Sequence, residues 1–585
     1  MTAAAAVFCL LVPSGAGSAP IDLRIHWIEP AWVSSTSGGI VEVSGLGFDS
    51  SIVARIDGAT LPSSAVQLLG PSRLRLTLPP VPSPRVSNLT LVRTLDGSNQ
   101  QTTTKYGGLF YTGPDLITND NAPRAAEVFY VRPDGNNANS GTSPTSPKAT
   151  ITAAITSALL TGVLCGDPYD CPYLPAQIRV ASGSYPDNLR IPRGCVLLGG
   201  YSSDFTLRDP DRFVSILDGR RNNLSAARAA GATENFFLID GFTITNSRRT
   251  GAGAGVRSFL GGPTLTHNVM IGNLASKRGG AVYVRFGQFN AFNNSATIAQ
   301  NLIVGNRAHE LSGAGVLVYA YYYTNMADIN AAVTDNIVVG NRAVLHGGGV
   351  AVGNSVYYTQ DRLSVSVSNN RMHYNEAENG GAFAVYSAYS TQFSIRAHNN
   401  LMQDNRAQAG GGAIAYEGAG GGDLLISSST LAGNSAPQGG ALYRAVPLRS
   451  SPQFTSLVDD ILWGNVGGDL FDPNSQVIVH YTDSNDDLSL RGAGNFSLDP
   501  RFAPGLLGGW YLDPASPAID NGSDTSAARG LSDRTTLVSQ ATDAGRLDLG
   551  YHSAVSSLSA GEVPQLLHLV PALGNFQGKD WVLLR

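Results

Sequence analysis

From about residue 268 to 470 the chain repeats one arrangement of apolar and polar positions. Paired glycines open short runs in which every second residue is apolar: GGAVYV at 279–284, GGGVAV at 347–352, GGAFAV at 380–385 and GGGAIAY at 410–416. A second signature, Asn-x4-Asn-x-Ala, appears as NVMIGNLA at 268, NLIVGNRA at 301, NIVVGNRA at 336, NRMHYNEA at 370 and NLMQDNRA at 400, with degenerate copies STLAGNSA at 429 and DILWGNVG at 460. Its second asparagines, Asn273, Asn306, Asn341, Asn375, Asn405, Asn434 and Asn465, are spaced by 33, 35, 34, 30, 29 and 31 residues. That is the period of a solenoid.

Helical solenoids of this period need long 3.6-residue stripes, whereas these units carry β-branched runs between Gly and Asn turns. The unit is therefore built of strands. Roughly 30 residues accommodate three short strands and their turns, which predicts an all-β fold, a right-handed parallel β-helix with windings ~4.8 Å apart and roughly ten coils between residues 178 and 500. Glycine at the corner permits positive φ and close approach of the next winding. The second asparagines are expected to form a ladder, each amide donating to one neighbour and accepting from the other. Period-two counting turns Val282, Val284, Val316, Val318, Val350, Val352, Phe383 and Val385 inward, and sets Arg285, Tyr319, Gly353, Tyr386 and Glu417 in one outward column.

Residues 24–112 follow another rhythm, alternating strands such as GIVEVSGLGF and RLRLTL between Pro and Gly turns, the pattern of a small β-sandwich. Residues 113–127 read as a linker, 128–500 as the β-helix with an N-terminal cap, and 501–585 as its C-terminal segment. The first 20 residues, with an apolar run from Ala3 to Val12 and small residues at Ser18 and Ala19, read as a signal peptide without a basic start. Export to the outer surface or medium is the expectation.

Composition narrows the partners. Charged residues make up 14% of 585 and the net charge is -5, so no basic stripe for nucleic acid is expected. No later segment is long and apolar enough to span a membrane as a helix. Cys165 and Cys171 stand close enough to pair in an oxidising compartment, leaving Cys195 over.

Three resemblances bear on this reading. Ile28, Pro30, Gly38, Gly39, Val41, Val43, Gly45, Gly47 and Phe48 sit as in the IPT/TIG family of immunoglobulin-like domains, which implies a spacer or binding module. The stretch VFYVRPDGNNANSGTSPTSPKATITAAI at 128–155, with the repeats after it, resembles exported pectate-lyase-like β-helix proteins, including polymorphic outer-membrane proteins, and implies a short capping helix. LDPRFAPGLLGGWYLDPASPAIDNG and DLGYH resemble the terminal segment of bacterial surface β-helix proteins with varied anchors.

Candidate chemistry follows from the column. Arg285, Tyr319, Tyr386 and Glu417, with Tyr321, Tyr322, Tyr323, Tyr357, Tyr358 and Tyr389 nearby, suit stacking on sugar rings and polar contacts to a polysaccharide or cell-surface glycan. The expected function is thus a non-catalytic adhesion or polysaccharide-binding scaffold. The alternative is a lyase or hydrolase of acidic polysaccharide. For a hydrolase the adjacent Asp459 and Asp460 fall on an Asn-turn position, and the Gly-His-Gly and Arg-x-Lys signatures are absent. For a lyase, Lys277, Arg278 and the turn histidines His309, His346, His373 and His398 are the candidates. Asp483, Asn485 and Asp487 alternate as in calcium loops, without the glycine at the sixth position. No other cofactor is expected.

Overall fold

The computed structural model describes residues 22–555 except 96–98, 113–127, 162–174, 221, 230–235, 260, 287–293, 322–327, 355–361, 388–391, 419–421, 446–454 and 506–507. The expected signal peptide, the linker, the Cys165 and Cys171 pair, and Tyr322, Tyr323, Tyr357, Tyr358 and Tyr389 lie outside the described residues. Cys195 is free and buried, and burial pushes its thiol up to about 12.

The repeats wind into a parallel β-solenoid of about 8 turns. Among the described residues its three long sheets, which include strands of the end regions, hold 12, 11 and 10 strands, and a fourth holds six. One winding shows the plan. Asp328–Thr334 lies in the longest sheet, Ile337–Val339 in the second, Arg342–Ala343 in the short fourth and Val350–Asn354 in the third. Three strands per winding were expected. The additional one follows the corner asparagine, as Arg-Ala after Asn306, Asn341 and Asn405, and bridges to its copies (Arg307 to Arg342, Ala308 to Ala343).

Register places like on like. Val282, Val316, Val350, Phe383 and Ile414 pair in succession, and all are fully buried in one core running along the rod. The two glycines of a corner do different work. Gly347 has φ +62, a conformation that costs a residue with a Cβ roughly 1–2 kcal/mol. Gly348 lacks that φ, but a Cβ there would lie 2.5 Å from the Glu376 carbonyl oxygen of the next winding. The helix Ile151–Leu160 buries Ile151, Ala154, Ile155 and Ala158 against the first strands; its N-cap Thr150 accepts from the Ala153 N–H.

Residues 24–112 form two packed sheets. Arg24–Glu29, Gly39–Leu46, Arg73–Leu78 and Val66–Gly70 belong to one; Trp32–Ser34, Gln100–Thr112, Arg85–Thr94, Val53–Ile56 and Ala59–Thr60 to the other. Alternation supplies the core, with Val41, Val43, Leu74, Leu76, Leu89 and Leu91 inside. This unit lies on the solenoid. Ala31 and Phe110 share an apolar cluster with Val196, Leu198, Phe236 and Leu238, and the Tyr106 N–H donates to Ser295 Oγ at 3.0 Å. The C-terminal segment also lies against the rod. Trp510, Tyr511 and Tyr551 pack on Leu401, while Leu512, Ala518 and Leu549 pack on Ile461.

Candidate functional site: a face of arginines and stacked rings

The outer surface of the third sheet is set by strand pleat, since core-facing Val282 and Val284 force Tyr283 and Arg285 outward. Two outward columns result. One runs Arg228, Arg257, Tyr283, Leu317, Ala351; the other runs Phe259, Arg285, Tyr319, Gly353, Tyr386, Glu417. Arg285, Tyr319, Tyr386 and Glu417 are therefore brought into one column.

Their rings are not a bare platform. Tyr319 is only 3% exposed, as is Tyr283. The centroids of Tyr283 and Tyr386 each lie 6.4 Å from that of Tyr319, and Tyr321 stacks on Tyr319 at 6.2 Å. Gly353 makes this closure feasible, because a Cβ there would fall 2.3 Å from the Tyr386 ring. Tyr283 and Tyr319 therefore leave little ring surface to solvent and meet neighbouring rings, while Tyr386 stays half-buried.

The arginines occupy the outside of that cluster. Arg257 lies 3.6 Å and Arg285 4.2 Å from the Phe259 centroid, Arg285 is 4.7 Å from that of Tyr321, and Arg278 is 4.7 Å from that of Tyr319. None of the three has an ion pair to an acid among the described residues, and the Nε of each is buried without a hydrogen-bond partner. Burial, followed by repulsion from Arg249, brings the Arg257 guanidinium down to about 10. Periodicity marked Arg285, and Arg278 stood out for its place just before a Gly corner; Arg257, which follows the corner of its own winding, joins them through the stacking of windings.

At the column's far end His346 Nδ1 stands 3.0 Å from Glu417 Oε2, and its ring stacks on Tyr386 at 4.6 Å. Of the lyase candidates, Lys277 is exposed, whereas the histidines differ in their surroundings. His398 is buried, bonded to Ser427 Oγ at 3.0 Å, and burial holds it and His373 down to about 3.

The remaining residues singled out from the sequence bear on the frame. Asn273, Asn306, Asn341, Asn375, Asn405 and Asn434 each donate Nδ2 to the Oδ1 of the next, ending at Asn465, at 2.9–3.1 Å. A second ladder, not expected, uses the first asparagine of the motif: Asn268, Asn301, Asn336, Asn370 and Asn400. Asp460 extends it, accepting from the Ser429 and Val458 N–H groups, whereas Asp459 turns outward to Ser523 Oγ at 2.8 Å and Arg529 at 3.3 Å. The Asp483, Asn485 and Asp487 carboxyl and amide oxygens accept from the separate N–H groups of Leu498, Gly464 and Ser489. Among the described residues no group of three or more His, Cys, Asp and Glu side chains is placed to hold a metal ion.

Comparison with protein-family models finds no match to this chain, and comparison with curated proteins finds none either. Among the described residues no helix is long and apolar enough to cross a membrane.

Proposed function

We propose that this chain is an exported scaffold, secreted or held at the outer cell surface, that binds an acidic polysaccharide along the outward columns of its third sheet without transforming it. One observation carries the reading: three guanidinium groups lie 3.6–4.7 Å from ring centroids with no acidic partner among the described residues. Ring contact fixes the arginines at low entropic cost and leaves N–H groups for carboxylates or sulfates on a polymer. The windings repeat every ~4.8 Å, so a polymer lying along the rod meets successive rungs. A panel of immobilised glycans tests this. Polygalacturonate and sulfated glycans should retain the chain, with retention falling steeply in salt, while neutral glucans should not; equal retention on neutral and acidic polymers would refute it.

A second reading rests on the His346 and Glu417 contact beside Arg278 and Tyr386. Here a base would take the proton next to a uronate carboxylate while Arg278 neutralises that carboxylate, and the glycosidic oxygen would leave with a proton as the ring gains a double bond. Incubation with polyuronates, with and without calcium, would then produce unsaturated uronides seen by ultraviolet absorbance. A flat trace with wild-type protein removes this reading.

A further inference from the structure

The junction between the sandwich and the longest sheet forms a half-open cavity of about 610 Å³, lined by residues that include Asp22, Arg24, Lys105, Thr103, Ser364 and Ser394. Its size is that of a site for a sugar-sized molecule. Its charge is unbalanced. Asp22 lies 3.5 Å from Arg24 and 3.2 Å from Arg396, which leaves one cation of that group over before Lys105 is added.

Lys105 is 4% exposed, and among the described residues its Nζ donates to the His26 and Ala296 carbonyl oxygens alone, both at the long distance of 3.3 Å. An ammonium has three donors, so one is unspent. Arg24 gives its terminal nitrogens to Ser364 Oγ at 2.8 Å and Ser394 Oγ at 3.3 Å, and its Nε is buried with no partner. Leaving buried cations without a counter-charge is costly, and a bound anion would remove that cost. Burial alone brings the Lys105 ammonium down to about 7, consistent with the missing counter-charge.

The geometry points to a binding site for a small hydroxylated carboxylate, its carboxylate meeting Lys105 and Arg24 and its hydroxyl groups meeting the serines and threonines of the wall. The site is distinct from the arginine face and does not depend on it.

The test uses the full chain and a matched pair of probes, galacturonate and galactose, which differ in the carboxylate, with inorganic phosphate as a third. Calorimetry should give saturable one-to-one binding of galacturonate and none of galactose. Lys105→Met and Arg24→Gln, each checked for retained fold by circular dichroism, should weaken binding about tenfold or more, as loss of a buried charged contact does. Arg278→Ala with Arg285→Ala should leave it unchanged. Absence of saturable binding, equal binding of phosphate, or galacturonate affinity untouched by both junction variants would overturn the assignment.

Discussion

Trp27 of the N-terminal sandwich donates its indole N–H to Asp335 Oδ2, at a corner of the solenoid, over 3.1 Å. Asp335 Oδ1 lies 3.6 Å from Arg534 of the C-terminal segment, so both terminal units meet at one carboxylate. The site is one rung of a line. The residue before each asparagine of the unexpected ladder has positive φ: His267, Gln300, Asp335, Asn369 and Asn399, continued by Ser428 and Asp459. Several hold a terminal unit: His267 lies 3.4 Å from Glu29, Asn399 exchanges two hydrogen bonds with the His552 backbone, and Asp459 holds Ser523. At the equivalent position of the other corner, where Gly272, Gly305, Gly340, Gly433 and Gly464 stand, glycine meets the same φ without a side chain.

Asp335→Gly keeps the left-handed backbone and removes only the side chain. It should lower stability by roughly 1 kcal/mol, since the partners left without it, Trp27 and Arg534, are only partly buried. Hydrogen exchange should quicken in residues 24–46 while the ladder amides stay protected.

Asn341→Ala deletes the acceptor of the Asn306 N–H and Nδ2 groups and the donor to the Ile303 carbonyl oxygen. A drop of about 1–3 kcal/mol is expected in denaturant unfolding. An unchanged midpoint would contradict the ladder.

Two glycine variants separate conformation from space. At Gly340, φ is +64 and a Cβ would meet nothing within 4 Å, so Gly340→Ala should cost about 1 kcal/mol from backbone strain alone. Gly348→Ala drives a Cβ onto backbone at 2.5 Å and should cost several times as much. Thermal unfolding of the two variants ranks them.

Lys105 makes stability depend on pH. Its folded value of about 7 lies below the ~10.4 of an exposed lysine, so between those limits the unfolded chain binds more protons and stability rises with pH. The contribution is most unfavourable below about 7. Lys105→Met should therefore stabilise the protein at pH 7, with the advantage over wild type shrinking toward pH 10 in paired melting curves.

The solenoid was legible because stacking writes itself into the chain as a period. Each valine, glycine and second asparagine sits where its copy one winding earlier sits, and no distant contact is needed to see it. The unexpected ladder was equally present, since the motif opens on Asn, but one asparagine per turn sufficed to explain the repeat. The docking line left a fainter trace. Asp459 stood out only beside Asp460 at an Asn-turn position, nothing marked His267 or Asp335, and their partners Glu29, Trp27, Arg534 and Ser523 lie far away in the sequence with no period linking them. Alternation identified the outward column, yet not that its rings would close over Gly353, because alternation gives the face of a residue and not the angle of its ring.

The central claim is that the arginines of the third sheet take acidic polymer along the rod. It is tested most directly by measuring the affinity of oligogalacturonides of increasing length for wild type and for the Arg278→Ala, Arg285→Ala double variant. Affinity should climb with length until the oligomer spans the column, and the double variant should lose about tenfold or more at each length while melting at the wild-type temperature. Affinity independent of length, or a double variant that binds as well as wild type, would contradict it.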